Sequence, residues 1–337
     1  MKNLGHDHYY FSIMHLILKT IIFSAIFLYS IGHAQTTNSN PYGFQNIDFP
    51  NKLIRLGAGV RGSAFFPIAE SICKIINKNT DYSKLRCVLV ETPGAEFNVV
   101  ATENDSFEVT ITQGDNLLKM TAEEEDGPTP LRLLGLLGRF SVNLIVNQNI
   151  NSISDLKGKV YNANSRGSAS SMSGKAFLKA ANLKESDFSS VKYLTPAEVP
   201  DEFCNKGYDF GIFVGAHPGP VMKRLMSCKA KLLQMPDDVL KVMEEEIPSS
   251  IPYTKPSGIY SPSDPEVKSI TVPVILVTSK EVSNEAIYRL VTILKANYDK
   301  IYYNSPTLNK EYSTLKDMGE FNFIVHDGAI KALKTSN

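Results

Sequence analysis

The chain has 337 residues, 43% of them hydrophobic, enough for one large domain or two lobes with cores of their own. Lys plus Arg and Asp plus Glu both number 35, so the formal net charge is zero. The basic excess of a nucleic-acid binder is missing, and no nucleic-acid partner is expected.

The N-terminus reads as an export signal. Lys19 precedes the apolar run "TIIFSAIFLYSIG", and "GHAQ" follows with Gly32 and Ala34 at the spacing of a signal-peptidase site. Cleavage is expected after Ala34, and Met14 is an alternative start. The run is shorter than the ~20 residues of a membrane span, although Ile13–Leu18 extends it and leaves an uncleaved anchor as the alternative. No Cys stands at the cleavage point, which argues against a lipoprotein. Removal of residues 1–34 takes away Lys2, Asp7 and Lys19 and leaves a net charge of −1. Residues 35–50 are polar and turn-rich, a flexible leader.

In chain order, "KLIRLGAG" predicts a short strand ending in glycines. "FPIAESICKIINK" places Ile68, Ile72, Ile75 and Ile76 at helical spacing, with Pro67 in the first turn. "LRCVLVET" predicts a buried strand, "EFNVVATEN" a short helix, and "FEVTITQGD" a strand running into a turn. "RLLGLLGRFSVNLIVNQ" reads as two strand runs broken at Gly138-Arg139. "SISDLKGKVYNAN" follows as a cap, a short helix, a glycine stop and a strand. "SASSMSGKAFLKAANL" is a helix, and "VKYLTPAEVPDEFCNKGYDFGIFVG" is strand, helix, strand. "PGPVMKRLMSCKAKLLQMP" is helix then strand. The proline- and serine-rich residues 244–265 read as an irregular excursion. A long strand "SITVPVILVTS", a helix "NEAIYRLVTILKANYDKI" and a last helix in "FIVHDGAIKALK" complete the chain. Beta–alpha alternation predicts an α/β fold. Two such blocks joined by one long strand out and another back imply two lobes, 51–142 with 273–337 and 143–272, and a hinge of two crossover strands.

Four cysteines allow three pairings. Sequence proximity favours Cys73–Cys87 and Cys204–Cys228, with free buried thiols as the alternative. Their spacing is not that of a metal site, and no metal or cofactor is expected.

The stretch "GAGVRGSAFF" is a glycine-spaced turn before a helix, a pattern that lets backbone N–H groups approach an anion. Other polar turns follow strands: "ETPGAEFN" with Thr92, Gly94, Glu96 and Asn98; "TQGD" with Gln113 and Asp115; "NANSRGSASS" with Asn164, Ser165, Gly167 and Ser168; "VGAHPG" with His217. In α/β sheets such strand ends converge on one crevice. Neither GxSxG nor HExxH is present. Glu91 is the acid nearest to a dinucleotide-type role, and Glu96 and His217 are the residues an enzyme would use. No enzyme is expected.

The ordered set of motifs over roughly residues 52–335 resembles the TAXI solute receptors of TRAP transporters. "GAGVRGSAFFP" is similar to that family's glycine-rich opening with an aromatic pair and a proline. "LRCVLVETPGAEFN", "TQGD", "SISDLKGKVYNANSRGSAS", "FCNKGYDFGIFVGAHP" and "VHDGAIKALK" resemble its later landmarks. The resemblance implies a two-lobed periplasmic-binding-protein fold of type II and a periplasmic location; a monomer is expected. It implies a small anionic solute, glutamate-like or a dicarboxylate, delivered to TRAP membrane subunits. A subset of the family has cysteines at all four positions, which supports the two pairings. It places the solute against Gly59, Gly62, Ser63, Phe65 and Phe66, with Glu96, Asn98, Gln113, Asp115, Ser165, Gly167 and Ser168 completing the ring. The departures are Phe65-Phe66 where Tyr-Tyr is usual, Ala95 and Gly114 where Ser is common, and Ala169 for a second glycine. Arg61 and Arg166 inside the turns suggest a carboxylate clamp and altered specificity. The alternative function is an exported surface or interaction protein that kept the fold and lost ordinary ligand binding.

Overall fold

The computed structural model describes residues 52–122, 129–304 and 323–335. The signal segment and leader lie outside the described residues. Strand β1 (Lys52–Gly57) turns Ile54 and Leu56 inward and pairs in parallel with both β2 (Leu85–Val90) and β3 (Val109–Gln113). Helix α1 (Phe65–Lys78) covers this sheet with Ile68, Ile72, Ile75 and Ile76, all buried, as the helical spacing requires. A single turn, α2 (Thr80–Ser83), leads into β2, and α3 (Ala95–Glu103) connects β2 to β3. The sequence suggests a turn at Gly114; instead helix α4 (Gly114–Ala122) starts there directly.

Strand β4 (Leu131–Val146) runs unbroken for 16 residues. This corrects the expected break at Gly138-Arg139. The ladder to β10 (Val267–Ser279) slips by one residue between Gly138 and Leu136 and again between Gly135 and Leu133. Two bulges thus absorb the irregular sequence without ending the strand. β10 returns antiparallel beside β4, and the two strands cross between the lobes.

The second lobe repeats the pattern. A Ser152–Asp155 capping box starts the 3₁₀ turn Ile153–Leu156. β5 (Val160–Asn162), α5 (Ala169–Ala180), β6 (Ser190–Lys192), α6 (Glu198–Cys204), β7 (Phe210–Gly215) and α7 (Pro220–Ser227) follow. β5 pairs in parallel with β6 and β7. The sheet order is β2-β1-β3-β10-β4-β7-β5-β6, a near-mirror arrangement about the two crossover strands. The chain is therefore a mixed α/β, two-lobed fold with helices on the strands.

β8 (Lys231–Leu232) pairs with β4. Helix α8 (Asp237–Glu246) has no counterpart in the sequence reading. The stretch 244–265 is not wholly irregular, because β9 (Ile251–Lys255) adds to the edge of β10. α9 (Asn284–Ala296), α10 (Tyr298–Asn304) and α11 (Asp327–Lys334) return to the first lobe. Cys73 on α1 bonds Cys87 on β2 with Cα atoms 5.0 Å apart, and Cys204 at the end of α6 bonds Cys228 after α7 at 5.2 Å. Among the described residues, no helix is long and apolar enough to cross a membrane, and no group of His, Cys, Asp or Glu is arranged to hold a metal ion.

Candidate functional site

The strand ends of the two lobes face each other across a cleft. Its wall takes Gly59–Phe65 without Arg61 from the β1–α1 turn, Pro93–Ala95 from the β2–α3 turn, and Asn164, Ser165 and Ser168–Ser170 from the β5–α5 turn. Gly215, Ala216 and Gly219–Val221 come from the β7–α7 turn, and Phe140 and Phe213 from the sheet. The cavity measures about 90 Å³, room for about six to nine water-sized groups.

Four helices begin on this cavity: α1 at Phe65, α3 at Ala95, α5 at Ala169 and α7 at Pro220. First-turn N–H groups have no partner within their own helix, and each helix presents partial positive charge there. Ser168 caps α5 by accepting from the Ser171 N–H at 3.2 Å. Pro220 at the first position of α7 removes one donor but fixes the helix start. Asn164 sits in the left-handed region at φ 59° and is held there by its own N–H to Asn162 Oδ1 and its Nδ2–H to Ile212 O, both under 3 Å. The Ser165 hydroxyl donates to Leu194 O, and Ser170 Oγ accepts from the Val214 N–H. The Ser63 hydroxyl is buried without a hydrogen-bond partner. A Cβ on Gly59 would come within 2.8 Å of this hydroxyl, so a larger residue at 59 would turn the Ser63 side chain away.

The rest of the wall is apolar. Phe65 stacks on Phe140, ring centroids 6.1 Å apart, and Val60, Pro93, Pro196, Val199, Phe213 and Val221 add to it. Among the described residues, no charged side chain lines the cavity. The rims of the two lobes touch: the Glu96 N–H donates to Gly167 O at 3.2 Å, and Gly62 abuts the Ala197 backbone.

Residues 56–335 match the NMT1-like family. The chain belongs to that family. Its fold is shared by the binding-protein component of an ABC phosphonate transporter from Pseudomonas aeruginosa, TM-score 0.52, 13% identical over 75% of this chain and 79% of that one. PhnD1 from Prochlorococcus marinus, solved in complex with methylphosphonate, has TM-score 0.53 and 11% identity over 80% and 95%. The periplasmic binding protein BugD has TM-score 0.50 and 12% identity over 76% and 88%. At these identities the likeness is one of fold, that of type II periplasmic binding proteins.

In this NMT1-like chain, eight of the residues singled out from sequence meet at the cleft: Gly59, Gly62, Ser63, Phe65, Gly94, Asn164, Ser165 and Ser168. The others do not line it. Arg61 is exposed and pairs with Glu91, Nε to Oε2 3.3 Å, while its N–H also donates to Glu91; its guanidinium covers the Phe66 ring. Gly57, Gly59 and Gly62 have the G-x-G-x-x-G spacing of a dinucleotide turn, but Glu91, the acid that would take a ribose, is bound to Arg61 in this way. Arg166 lies outside on the Tyr193 ring at 4.2 Å. Glu96 is exposed, its carboxylate against Gly167. Asn98 is a buried strut, its Nδ2 donating to Ala58 O at 2.6 Å and Ile111 O at 2.8 Å. Thr92 and Gln113 are buried with side-chain atoms that make no hydrogen bond, and Asp115 is buried in the first turn of α4. Gln113 shares a sheet face with Phe140, since it opposes Val274 while Val272 opposes Phe140.

His217 faces the crossover strand rather than the cavity. Its Nε2 is 2.7 Å from Asn143 Oδ1, and its Nδ1 meets the Tyr260 hydroxyl. Asn143 Nδ2 donates to Ser141 O and Phe213 O, so Oδ1 accepts, Nε2 carries the proton and Tyr260 donates to Nδ1. Burial, together with the Lys255 charge nearby, pushes the imidazole down to about 4. Lys255 is itself buried against Asp264 at 2.8 Å. His217 is thus a neutral structural link. The sequence reading missed Phe140, Phe213 and Ser170; aromatic residues in buried strands carry no local signal of which face they occupy.

Proposed function

We propose that this protein is an extracytoplasmic solute receptor that binds a small anionic solute between its lobes and hands it to a membrane transporter. The observation that carries this reading is the convergence of four helix N-termini on one small cavity between two hinged lobes. The fold neighbours that are named as binding components of transporters support it, as does the N-terminal export pattern with cleavage after Ala34 and a periplasmic destination. The motif resemblance to TAXI receptors supports a TRAP permease as the recipient. The lobes divide as 51–142 with 273–337 and 143–272, with β4 and β10 as the crossing strands, and the receptor acts as a monomer.

The ligand contacts are Gly59, Gly62, Ser63, Phe65, Gly94, Asn164, Ser165 and Ser168. The N–H groups of the α1 and α5 first turns take the anionic group. A thermal-shift screen of the exported protein against carboxylates, phosphonates and sulfonates tests this. A solute at ~100 times its Kd stabilises the fold by ~2.7 kcal/mol. A flat response from folded, ligand-free protein contradicts the receptor reading and favours an exported interaction protein.

A further inference from the structure

The composition of the cavity wall restricts the solute further than its charge sign. The groups on this small cavity that can meet an anion are backbone N–H groups at helix starts and hydroxyls. The remaining wall is apolar and built around Phe65, Phe140 and Phe213, with Val60, Val199 and Val221. A second carboxylate of a dicarboxylate needs a second cationic or strongly donating partner, and the two remaining helix starts are weakened for that role: the Glu96 N–H of α3 is spent on Gly167 O, and Pro220 leaves α7 one donor short. An α-ammonium group needs a carboxylate or several carbonyl acceptors. The wall has neither a cationic nor an anionic side chain. The nearest arginines in sequence, Arg61 and Arg166, are held outside the cavity by Glu91 and Tyr193. Burying a second, unmatched charge against this wall is strongly unfavourable. Burying a hydrocarbon body against it is favourable in proportion to the area covered.

Resting on the receptor reading, we propose that the solute is a compact monoanion with an apolar body, a branched aliphatic monocarboxylate of about C4–C6 or its 2-oxo acid. Dicarboxylates and amino acids are not the solute. One end of the molecule lies at the α1 and α5 starts with the Ser63 hydroxyl, and its body lies against the phenylalanines.

Calorimetric titration of the exported protein, refolded to remove co-purified solute, tests this with isovalerate, 4-methyl-2-oxopentanoate, succinate, glutamate and the neutral isovaleramide. The expected result is that isovalerate or its 2-oxo homologue binds at least tenfold more tightly than succinate, glutamate and isovaleramide. A Val221→Arg variant, which adds a cation at the cavity edge, is expected to shift the succinate-to-isovalerate affinity ratio toward succinate by at least tenfold. Succinate or glutamate binding as tightly as isovalerate to the wild type overturns this inference and leaves the receptor reading standing. Binding of isovaleramide equal to isovalerate also overturns it. If no compound in the panel binds, this inference fails, and the receptor reading falls with it only where the phosphonates and sulfonates of the thermal-shift screen are silent too.

Discussion

Replacing Gly94 by alanine tests how the two rims of the cleft meet. Gly94 stands before α3 at φ 144° and ψ −163°. That region is essentially reserved for glycine and costs another residue about 1–3 kcal/mol. A Cβ at Gly94 would also lie 3.1 Å from Gly167 O and 3.3 Å from the Ser168 Cα, both on the opposite rim. Neither is a flexible side-chain end, so the backbones themselves must part. Reduced freedom of the unfolded chain offsets about 0.4–1 kcal/mol, leaving a net loss of about 1–2 kcal/mol. Gly158 is the matched control: its φ is 72°, and nothing lies within 4 Å of its Cβ. Gly158→Ala therefore carries backbone strain alone. Urea denaturation and isovalerate titration of both variants separate the two effects. Both are expected to lose about 1–2 kcal/mol of stability. Gly94→Ala is also expected to bind isovalerate about 5–10 times more weakly, because about 1–1.4 kcal/mol of rim separation falls on the closed form. Equal affinity in wild type and Gly94→Ala refutes the idea that this rim contact belongs to the ligand-holding form.

The His217 imidazole titrates at about 4 in the fold against 6.5 for a free side chain. Its native value is the lower one, so its contribution is complete above about pH 6.5 and is lost as pH falls toward about 4. The span corresponds to about 3 kcal/mol. His217→Gln is expected to flatten the pH dependence of stability between pH 7 and 4, and a profile parallel to wild type would contradict the buried neutral link to Asn143 and Tyr260. Removing the Cys73–Cys87 bridge as a double alanine variant is expected to cost ~3 kcal/mol by loop entropy; an unchanged denaturation midpoint with an unchanged slope would speak against a closed bridge. Arg61→Ala and Arg166→Ala are expected to leave isovalerate affinity within about twofold of wild type and to change stability by under about 1 kcal/mol, since both side chains are exposed. A tenfold affinity loss in either would restore a carboxylate clamp.

Much of the fold was legible because local pattern and tertiary demand agree. The isoleucines of α1 recur at helical spacing and all face the sheet. The glycines before α1 and α5 mark turns, and the cysteines close short loops between neighbouring elements. The misread parts are those where long-range contacts decide. Gly138-Arg139 looks like a polar break, but Arg139 is buried in the ladder and reaches Ser249 O from a segment 110 residues away. Pro252 suggests loop, yet β9 is an edge strand paired only with β10, where proline is tolerated. Helix α8 offers only Val239, Leu240 and Met243 as its buried face in an acidic stretch, a weak signal. At the cleft, the glycines and serines that line the wall were readable from turn chemistry. The aromatic wall was not, because the side of the sheet a phenylalanine occupies depends on register with partners far along the chain. The outward course of Arg61 and Arg166 likewise depends on Glu91 and Tyr193, which the turns alone do not reveal.

The inter-lobe cavity is expected to hold a small anion at the helix starts. The most direct measurement is a crystal structure of the protein with a bromine-labelled short carboxylate, located by the anomalous signal of bromine. The expected result is one bromine site between Phe65 and Phe213, with the carboxylate within hydrogen-bond distance of the first-turn N–H groups of α1 or α5. Bromine bound only outside this cavity, or no bound carboxylate at saturating concentration, would contradict it.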